Sequence, residues 1–287
     1  MASLKEIKVR LASIRNTQKI TSAMKMVSSA KLHHTQALAE HTLLYANKLS
    51  SILNGLLETQ HELTSPFTTK REVKEVAIIA FSSSSGLCGT FNANVWKELA
   101  ARLQKYKAER IKVQLYPVGK KIANELRKEG YSFKDTFLHV GEKPSFDGAK
   151  ELAQYIIQLY TSEQVDQVDI LYHHFKNMAT QILTHQIYLP ITFPEVTVPN
   201  TGWNIDYLLE PSKEELLALL LPKYLNLTIY TILLDTVTAE HAARMMAMQT
   251  ANDNANDLIQ ELTLQYNKTR QQAITNELLD IMGGSSL

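Results

Sequence analysis

In the C-terminal part of the chain, the positions suited to packing on a partner helix recur after alternating steps of four and three residues. From Lys223 to Met282 there is no glycine or proline, which is enough for one helix of roughly 90 Å. A sustained period of 3.5 residues predicts the seam of a left-handed coiled coil, and a long helix within a bundle is the alternative. The seam positions are 241, 245, 248, 252, 255, 259, 262, 266, 269 and 273.

The composition of this seam indicates shallow packing. Its side chains are small, polar or methionine more often than leucine. We expect such a seam to hold two helices together without the deep burial of a leucine zipper. Asn252 is expected to fix the register of the pair at some cost in stability.

The N-terminal segment offers a partner for this helix. Residues 1–54 also contain no glycine or proline, and Ser3 with Glu6 forms a capping box at the start of a helix predicted over 3–57. Its apolar pattern falls into three groups, with a shift of phase before the second. The groups are Leu4, Ile7, Leu11 and Ile14; then Ile20, Met24 and Val27; then Leu38, Thr42, Tyr45, Leu49, Ile52 and Leu56.

Charge supports pairing of the two ends. Residues 1–50 carry eight basic and two acidic side chains, whereas residues 223–287 carry four basic and seven acidic ones. Opposite signs suit adjacent helices, although each exposed ion pair contributes only about 0–1 kcal/mol. We therefore predict a long antiparallel coiled coil of the N- and C-terminal helices.

Between these helices the pattern is that of an α/β domain. Apolar or alternating strands are predicted at 76–81, 111–116, 168–175 and 180–189, with a weak one near 133–138. Helices are predicted at 92–107, 120–128 and 147–160. This alternation favours a mainly parallel, right-handed sheet. The fold class is thus α/β: a Rossmann-like domain over 74–205, inserted between coiled-coil segments 1–60 and 212–287. Pro222 is expected to separate a short helix, 212–221, from the long one.

The sequence gives little sign of catalysis. It lacks G-x-G-x-x-G, the P-loop, H-E-x-x-H and C-x-x-C, and its single cysteine, Cys88, excludes an internal disulfide. Gly86 to Gly89 could cradle an anion, but a tight turn is the favoured interpretation. We expect no catalytic, cofactor or metal site. No run of apolar residues reaches about 18, the length that a membrane-spanning helix needs. The basic N-terminal helix lacks the interleaved aromatic residues of a nucleic-acid surface, so no nucleic-acid partner is expected.

Four separated motifs carry a family resemblance that covers the whole chain. They lie at 7–27, at Gly86-Leu87-Cys88-Gly89-Thr90-Phe91-Asn92, at 240–255 and at 264–278. Together they resemble the gamma subunit of bacterial F-type ATP synthase. The chain departs from the family in having Ser84 and Ser85 where Asp-Arg is usual, and in a glycine-rich C-terminal end. Neither serine carries the charge that the usual pair brings.

The resemblance implies a central rotor shaft that couples ion flow to ATP synthesis and hydrolysis. Its coiled coil would lie inside a ring of three alpha and three beta subunits, and its α/β foot would sit on the membrane c-ring beside the epsilon subunit. The beta subunits would carry the chemistry, so this chain is not expected to be an enzyme by itself. It would be peripheral, on the cytoplasmic face of the bacterial plasma (inner) membrane, and reach the membrane only through the c-ring.

The resemblance and the residue types together select two contact sets. The predicted beta-subunit contacts are Met24, Lys25, Arg270, Gln271 and Thr275. Lys25 lies in a basic stretch that attracts acidic partners, and the fork of Arg270 suits carboxylates. The predicted c-ring contacts are Tyr207, Leu208, Leu209 and Glu210. Two other functions stay open at this point: a static coiled-coil scaffold, and an α/β nucleotide-binding enzyme with coiled-coil arms.

Overall fold

The computed structural model describes residues 3–58, 66–69, 71–191 and 212–284. Long helices begin and end this part of the chain, and a four-stranded sheet with shorter helices lies between them. The elements in order are α1 Leu4–Glu58, β1 Glu75–Phe81, α2 Phe91–Ala108, β2 Lys112–Val118, α3 Lys120–Lys128, a 3-10 helix Leu138–Gly141, α4 Phe146–Thr161, β3 Gln167–Phe175, β4 Gln181–Leu189 and α5 Lys213–Gly284.

The first helix begins with the predicted capping box. The backbone N–H of Ser3 donates to Glu6 Oε2 at 2.9 Å, and the backbone N–H of Glu6 donates to Ser3 Oγ at 3.3 Å. These bonds satisfy donors that an uncapped helix would leave unpaired. The helix then runs unbroken to Glu58. The absence of glycine and proline over residues 1–54 predicts most of this length, and the helix continues past Gly55.

The predicted break at Pro222 is wrong. One helix, α5, runs from Lys213 to Gly284 with Pro222 inside it. Proline removes one helical hydrogen bond and usually kinks or ends a helix. Here Leu217 and Leu221 before the proline and Leu227 after it belong to one buried cluster with leucines of α1, and this shared packing holds both sides in line.

The sheet has the strand order β2-β1-β3-β4. Strands β2, β1 and β3 are parallel, with Ile78 of β1 opposite Leu115 of β2 and Asp169 of β3, while β4 is antiparallel to β3. The hairpin turns at Asn177, as predicted, because Asn177 Oδ1 accepts from the backbone N–H of Thr180. The mixed α/β architecture with long terminal helices is therefore confirmed.

The weak strand predicted near residues 133–138 is absent from the described sheet. In this stretch one backbone bond, from the Lys134 N–H to the Leu115 carbonyl, reaches β2, and the 3-10 helix follows. The charged Lys134 and Asp135 interrupt the apolar run and leave too little hydrophobic surface for a fifth strand.

Helices cover both faces of the sheet. One face packs against α2 and α3 through Val95, Leu99 and Ile122. The other packs against α4 and against α5 itself, whose buried residues here are Leu225, Ile229, Ile232, Leu233 and Val237. Because these side chains share one buried cluster with the sheet, the C-terminal helix is part of the core of the α/β domain. Full burial of one such side chain contributes about 1.5–3 kcal/mol.

One part of α5 deserves comparison with membrane helices. Within 215–279 it contains a window long and apolar enough to cross a bilayer by length and composition alone. Leu217, Leu221, Leu225 and Leu233 in this stretch are nevertheless buried against other parts of the protein. We interpret the stretch as the core helix of the α/β domain. By contact density the chain forms two compact units, residues 1–30 with 244–287 and residues 31–243.

Candidate functional site

The predicted seam of α5 is confirmed. All ten of its positions are buried or partly buried, and Met248, Ala255 and Leu262 are the most enclosed. The neighbouring positions are exposed: 253, 254, 257, 258, 260, 261, 264 and 265. A 3.5-residue period in burial is the signature of a coiled-coil seam.

The seam of α1 runs without the predicted shift of phase. Its middle positions are the polar residues Gln18, Thr21, Ser28 and Thr35 together with Leu32, and the last four are buried. Thr21 and Thr35 satisfy their hydroxyls on carbonyls of their own helix, which permits burial. A search for apolar periodicity cannot detect a seam made of polar side chains. Tyr45 and Ile52 were also assigned to the seam, and both are exposed.

A hydrogen bond between two polar side chains shows how α1 and α5 are aligned along the seam. Gln18 Nε2 donates to Asn256 Oδ1, which joins the two helices across the seam. The predicted register residue, Asn252, lies one turn away, and its Oδ1 is buried without a hydrogen-bond partner among the described residues. The polar seam therefore carries both a satisfied and an unsatisfied amide.

Ile20, Met24 and Val27 share a face of α1, as their spacing predicts, but that face is turned away from the seam. Ile20 is 60% exposed and Val27 is 57% exposed, whereas Met24 is partly buried. Lys25 beside them is also partly buried. An exposed apolar face next to a basic side chain suits a protein partner that offers apolar and acidic groups.

The predicted contacts on α5 lie on an exposed stretch. Arg270 and Gln271 are exposed, and Arg270 has no ion pair in the part of the chain that the structure describes. Thr275 Oγ1 donates to the Gln271 carbonyl at 2.9 Å, so its hydroxyl is left with acceptor capacity only. The donors of Arg270 and the amide of Gln271 are thus the groups available to a partner.

The two sets lie far apart along the coiled coil. Gln18 pairs with Asn256, so Met24 and Lys25 lie level with residues near 250 of the antiparallel helix. Arg270 is about 20 residues further along, which corresponds to about 30 Å. The structure does not bring the two sets together, and they form separate surfaces. The predicted contacts Tyr207, Leu208, Leu209 and Glu210 lie outside the described residues.

The glycine motif forms a tight turn that docks on α5. Leu87 and Gly89 have φ near +60°, and the side chain of Asn92 bonds Ser83 Oγ at 2.8 Å and Cys88 Sγ at 3.1 Å. Cys88 and Phe91 then pack against Ala239 of α5. This geometry supports the tight-turn interpretation of the motif.

The same contacts fill the crevice where a doubly wound sheet holds its ligands. That crevice lies beyond the carboxyl ends of adjacent strands where the chain reverses direction, here β1 and β3. Phe91 stacks on His173 at the end of β3, with ring centroids 4.1 Å apart. Burial lowers the pKa of His173 to about 4, so its ring stays neutral at pH 7. Buried side chains therefore pack beyond the ends of these two strands.

Ser84 and Ser85 stand where the family usually has Asp-Arg, and the hydroxyl of Ser84 is buried. Ser84 Oγ has no hydrogen-bond partner among the described residues, whereas the Ser85 carbonyl accepts from Ser83 Oγ at 2.6 Å. Neither serine can supply the ionic contact that an Asp-Arg pair would make.

The most polar group inside the sheet is Asp169, which is fully buried. Burial pushes the pKa of Asp169 upward, but hydrogen bonds from His185, Tyr106 and Gln167 more than offset this, and the pKa lies below its ordinary value. Tyr106 Oη and Gln167 Nε2 donate to the Asp169 carboxylate, and His185 Nε2 lies 2.9 Å from Asp169 Oδ2, so each of the three side chains bonds Asp169 within the domain. In the described ranges no group of three or more His, Cys, Asp or Glu side chains is arranged to hold a metal ion.

The whole chain matches known proteins. A sequence profile of the family described as ATP synthase matches residues 3–286. The chain is 67% identical to the ATP synthase gamma chain of Parabacteroides distasonis, over all of this chain and 99% of that protein. It is 50% identical to the ATP synthase gamma chain of Phocaeicola vulgatus, over 99% of each chain.

Solved structures share the fold. A chain of the Euglena gracilis mitochondrial ATP synthase, in an assembly of OSCP, F1 and c-ring, superposes with a TM-score of 0.63 at 19% identity, covering 99% of this chain and 93% of that one. A chain from the central stalk and c-ring of the Tetrahymena thermophila mitochondrial ATP synthase gives 0.57 at 22% identity, covering 81% of this chain and 99% of that one.

Proposed function

Because this chain belongs to the ATP synthase gamma chain family, we propose that its coiled coil turns inside a ring of three alpha and three beta subunits. It is the gamma subunit of an F-type ATP synthase, a membrane-associated complex. The observation that carries the proposal is the antiparallel pair of terminal helices, one of which also forms the core of the α/β domain.

Coupling follows from differential binding by an asymmetric rod. A single rod cannot present the same surface to three equivalent beta subunits, so each subunit is held in a different conformation. Every tenfold difference in nucleotide affinity between those conformations requires about 1.4 kcal/mol of differential contact energy. Rotation of the rod then passes the three states around the ring, and ion flow through the c-ring drives that rotation.

The two exposed surfaces support this asymmetry. On α1 the partner would meet the apolar face of Ile20, Met24 and Val27 beside Lys25. On α5, about 30 Å further along, it would meet the donors of Arg270 and Gln271, with Thr275 beside them. Because the two surfaces differ chemically and lie at different positions along the coiled coil, one beta subunit can bind tightly while its neighbours bind weakly. We propose both as contacts with beta, of which the α1 face fits an acidic and apolar partner.

Within the unit 31–243, hydrogen bonds join the sheet to α5. Asp235 of α5 accepts from the backbone N–H of Phe175 at 2.8 Å and contacts His174 Nδ1 at 2.7 Å. Tyr188 Oη donates to the Leu225 carbonyl at 3.0 Å. Together with the buried residues of α5, these bonds join β3 and β4 to this part of α5, so the sheet and this part of the helix would turn together.

The remaining partners follow from the same role. We place the foot on the c-ring, with Tyr207 to Glu210 as the contact, and beside the epsilon subunit. The complex would lie on the cytoplasmic face of the bacterial plasma membrane. The chain itself would carry no catalysis, which agrees with the filled crevice of its sheet. ATP chemistry would stay with the beta subunits.

Reconstitution tests the proposal. Alpha and beta subunits are mixed with the full chain, and ATP hydrolysis by the assembled complex is measured with a reducible disulfide between a Lys25→Cys variant and a cysteine placed in beta. A rotor predicts that the crosslink stops hydrolysis and that reduction restores it. A static scaffold predicts unchanged hydrolysis in the crosslinked complex. Nucleotide hydrolysis by the isolated chain would favour the enzyme with coiled-coil arms.

A further inference from the structure

A cavity of about 380 Å³ opens between α1, β3 and α5. All of its lining residues belong to the compact unit 31–243. Most of the wall is apolar, with Ala39 and Leu43 on α1, Ile232 on α5 and Tyr172 on β3. Its size falls within the range of about 300–1,000 Å³ that small-molecule sites occupy.

Two carboxylates, those of Glu40 and Asp235, line this cavity beside the imidazole of His174. The other polar lining side chains are the neutral Gln36, Thr231 and Thr238. Glu40 stands at the α1 wall and accepts from Gln36 Nε2 at 3.1 Å, and it has no ion pair among the described residues. Asp235 stands at the α5 wall and holds His174 Nδ1 and the Phe175 backbone N–H. A carboxylate has about four acceptor sites, so both side chains keep capacity for a further donor.

Two aromatic residues contribute to the same wall. Tyr172 and Phe175 line the same cavity, and their π faces attract cations within about 6 Å of the ring centre. A neutral ligand would gain only from the apolar wall, and an anion would be repelled by Glu40 and Asp235. A hydrophobic body with one positive charge matches the wall and the polar groups at once.

We propose that this cavity binds hydrophobic amines, with the ammonium group between Glu40 and Asp235 and the apolar part against Ala39, Leu43 and Ile232. The site is separate from the surfaces assigned to the beta subunits and does not depend on rotation. A ligand there touches the first helix, the sheet and the last helix together. It therefore links these three elements within the unit 31–243.

The test uses the isolated full chain and three probes with one carbon skeleton: 4-phenylbutylamine, 4-phenylbutanol and 4-phenylbutanoate. Binding is followed by ligand-observed NMR titration at pH 7.5. For a ligand of this size we expect a dissociation constant for the amine of about 0.1–1 mM. The alcohol should bind at least about tenfold more weakly, and the carboxylate more weakly still.

Variants locate the site. Glu40 is exposed, so Glu40→Gln should leave folding intact. It should weaken amine binding about three- to fivefold, which is the effect of losing one partly exposed ion pair. Ala39→Trp should fill the cavity and abolish binding. Glu151→Gln makes the same chemical change on the exposed face of α4, outside the cavity, and should have no effect.

Three outcomes would overturn the proposal. They are the absence of amine binding up to 10 mM in the wild-type chain, equal affinity for the amine and the alcohol, and unchanged amine affinity in both Glu40→Gln and Ala39→Trp. The last outcome would mean that the amine binds elsewhere on the chain. None of these results bears on the proposed rotor role, because no measurement involves alpha or beta subunits.

Discussion

At the scale of single residues, Gly119 shows how a close approach of two backbones depends on the absence of a side chain. Its φ is +103°, and a Cβ there would lie 2.2 Å from the Ser82 carbonyl oxygen, at the carboxyl ends of β1 and β2. Ser82 Oγ also accepts from the backbone N–H of Ile122 at 3.1 Å, so Ser82 cannot move away from Gly119 without loss of this bond at the start of α3.

We predict that Gly119→Ala destabilises the chain by at least about 2–3 kcal/mol, because backbone strain and a backbone clash add. Gly130→Ala is the matched control: its φ is +76°, but a Cβ there meets nothing within 4 Å. The control should cost only about 1 kcal/mol. Urea unfolding of the three proteins measures both differences. Equal losses in the two variants would show that contact with Ser82 is unimportant.

His173 predicts an acid-dependent loss of stability. Burial lowers its pKa from 6.5 to about 4, and its Nδ1 is buried without a hydrogen-bond partner among the described residues. The unfolded chain takes up a proton near pH 6.5, whereas the folded chain does so only near pH 4. Its contribution to stability is therefore complete above pH 6.5 and is lost as the pH falls to about 4, by roughly 2–4 kcal/mol.

The variant His173→Phe keeps the stack on Phe91 and removes the titrating group. We expect its free energy of unfolding to fall less than that of the wild type between pH 7 and pH 4.5. Urea unfolding at both pH values gives the comparison, with His139→Phe as the control because His139 is exposed on the 3-10 helix. A parallel decline in wild type and His173→Phe would remove His173 as the cause.

Arg270 and Gln271 predict a loss of function without a loss of stability. Both are exposed, so changing the two together to Ala should alter the free energy of unfolding of the isolated chain by no more than about 0.5 kcal/mol per site. ATP hydrolysis by the reconstituted complex should fall. Gln260 and Glu261, also exposed on α5, form the matched pair of control substitutions. Normal assembly and hydrolysis with the Arg270/Gln271 variant would exclude these residues from the mechanism.

At the scale of the elements, the coiled coil predicts a specific crosslink. Gln18 and Asn256 touch across the seam, so cysteines at these two positions should form a disulfide on mild oxidation. Cysteines at Lys19 and Asn256 are the control, because Lys19 is exposed on the outer side of α1. Gel mobility with and without reductant measures both. An equal yield in the two pairs would contradict the register.

The sequence predicts the elements to different degrees. Apolar strands such as Val76 to Phe81 and the α5 seam were predicted correctly, because burial follows their hydrophobic spacing. The α1 seam was misjudged because Thr21 and Ser28 are buried while Ile20 and Val27 are exposed. Pro222 was misjudged because tertiary packing outweighed a local propensity.

Those errors are informative about the candidate surfaces. Ile20 and Val27 could be recognised as exposed only after the partner helix was in place, since the same residues fit a seam by spacing alone. The stacked rings of Phe91 and His173 bring together positions more than 80 residues apart in sequence, and no local sequence pattern predicts such a contact. The amine cavity likewise draws its walls from three distant segments.

At the scale of the whole molecule, the proposed c-ring contact predicts a defect that appears only in membranes. Glu210→Lys should weaken coupling of ATP hydrolysis to ion pumping, because a reversed charge disturbs the contact between foot and ring. Hydrolysis by the soluble complex of alpha, beta and this chain should stay unchanged. Proton or sodium uptake into vesicles, measured beside ATPase activity, tests the difference. Unaltered coupling in vesicles would count against the contact.

The antiparallel pairing also limits how the chain can change in length. Seven residues inserted into α1 between the α/β domain and Gln18 would carry Gln18 about 10 Å past Asn256. The two helices would match again only if α5 gained seven residues over the same stretch. Insertions of three or four residues would instead rotate the seam out of phase and disturb the supercoil. Length changes in this chain are therefore tolerated in whole heptads and in pairs, one in each helix.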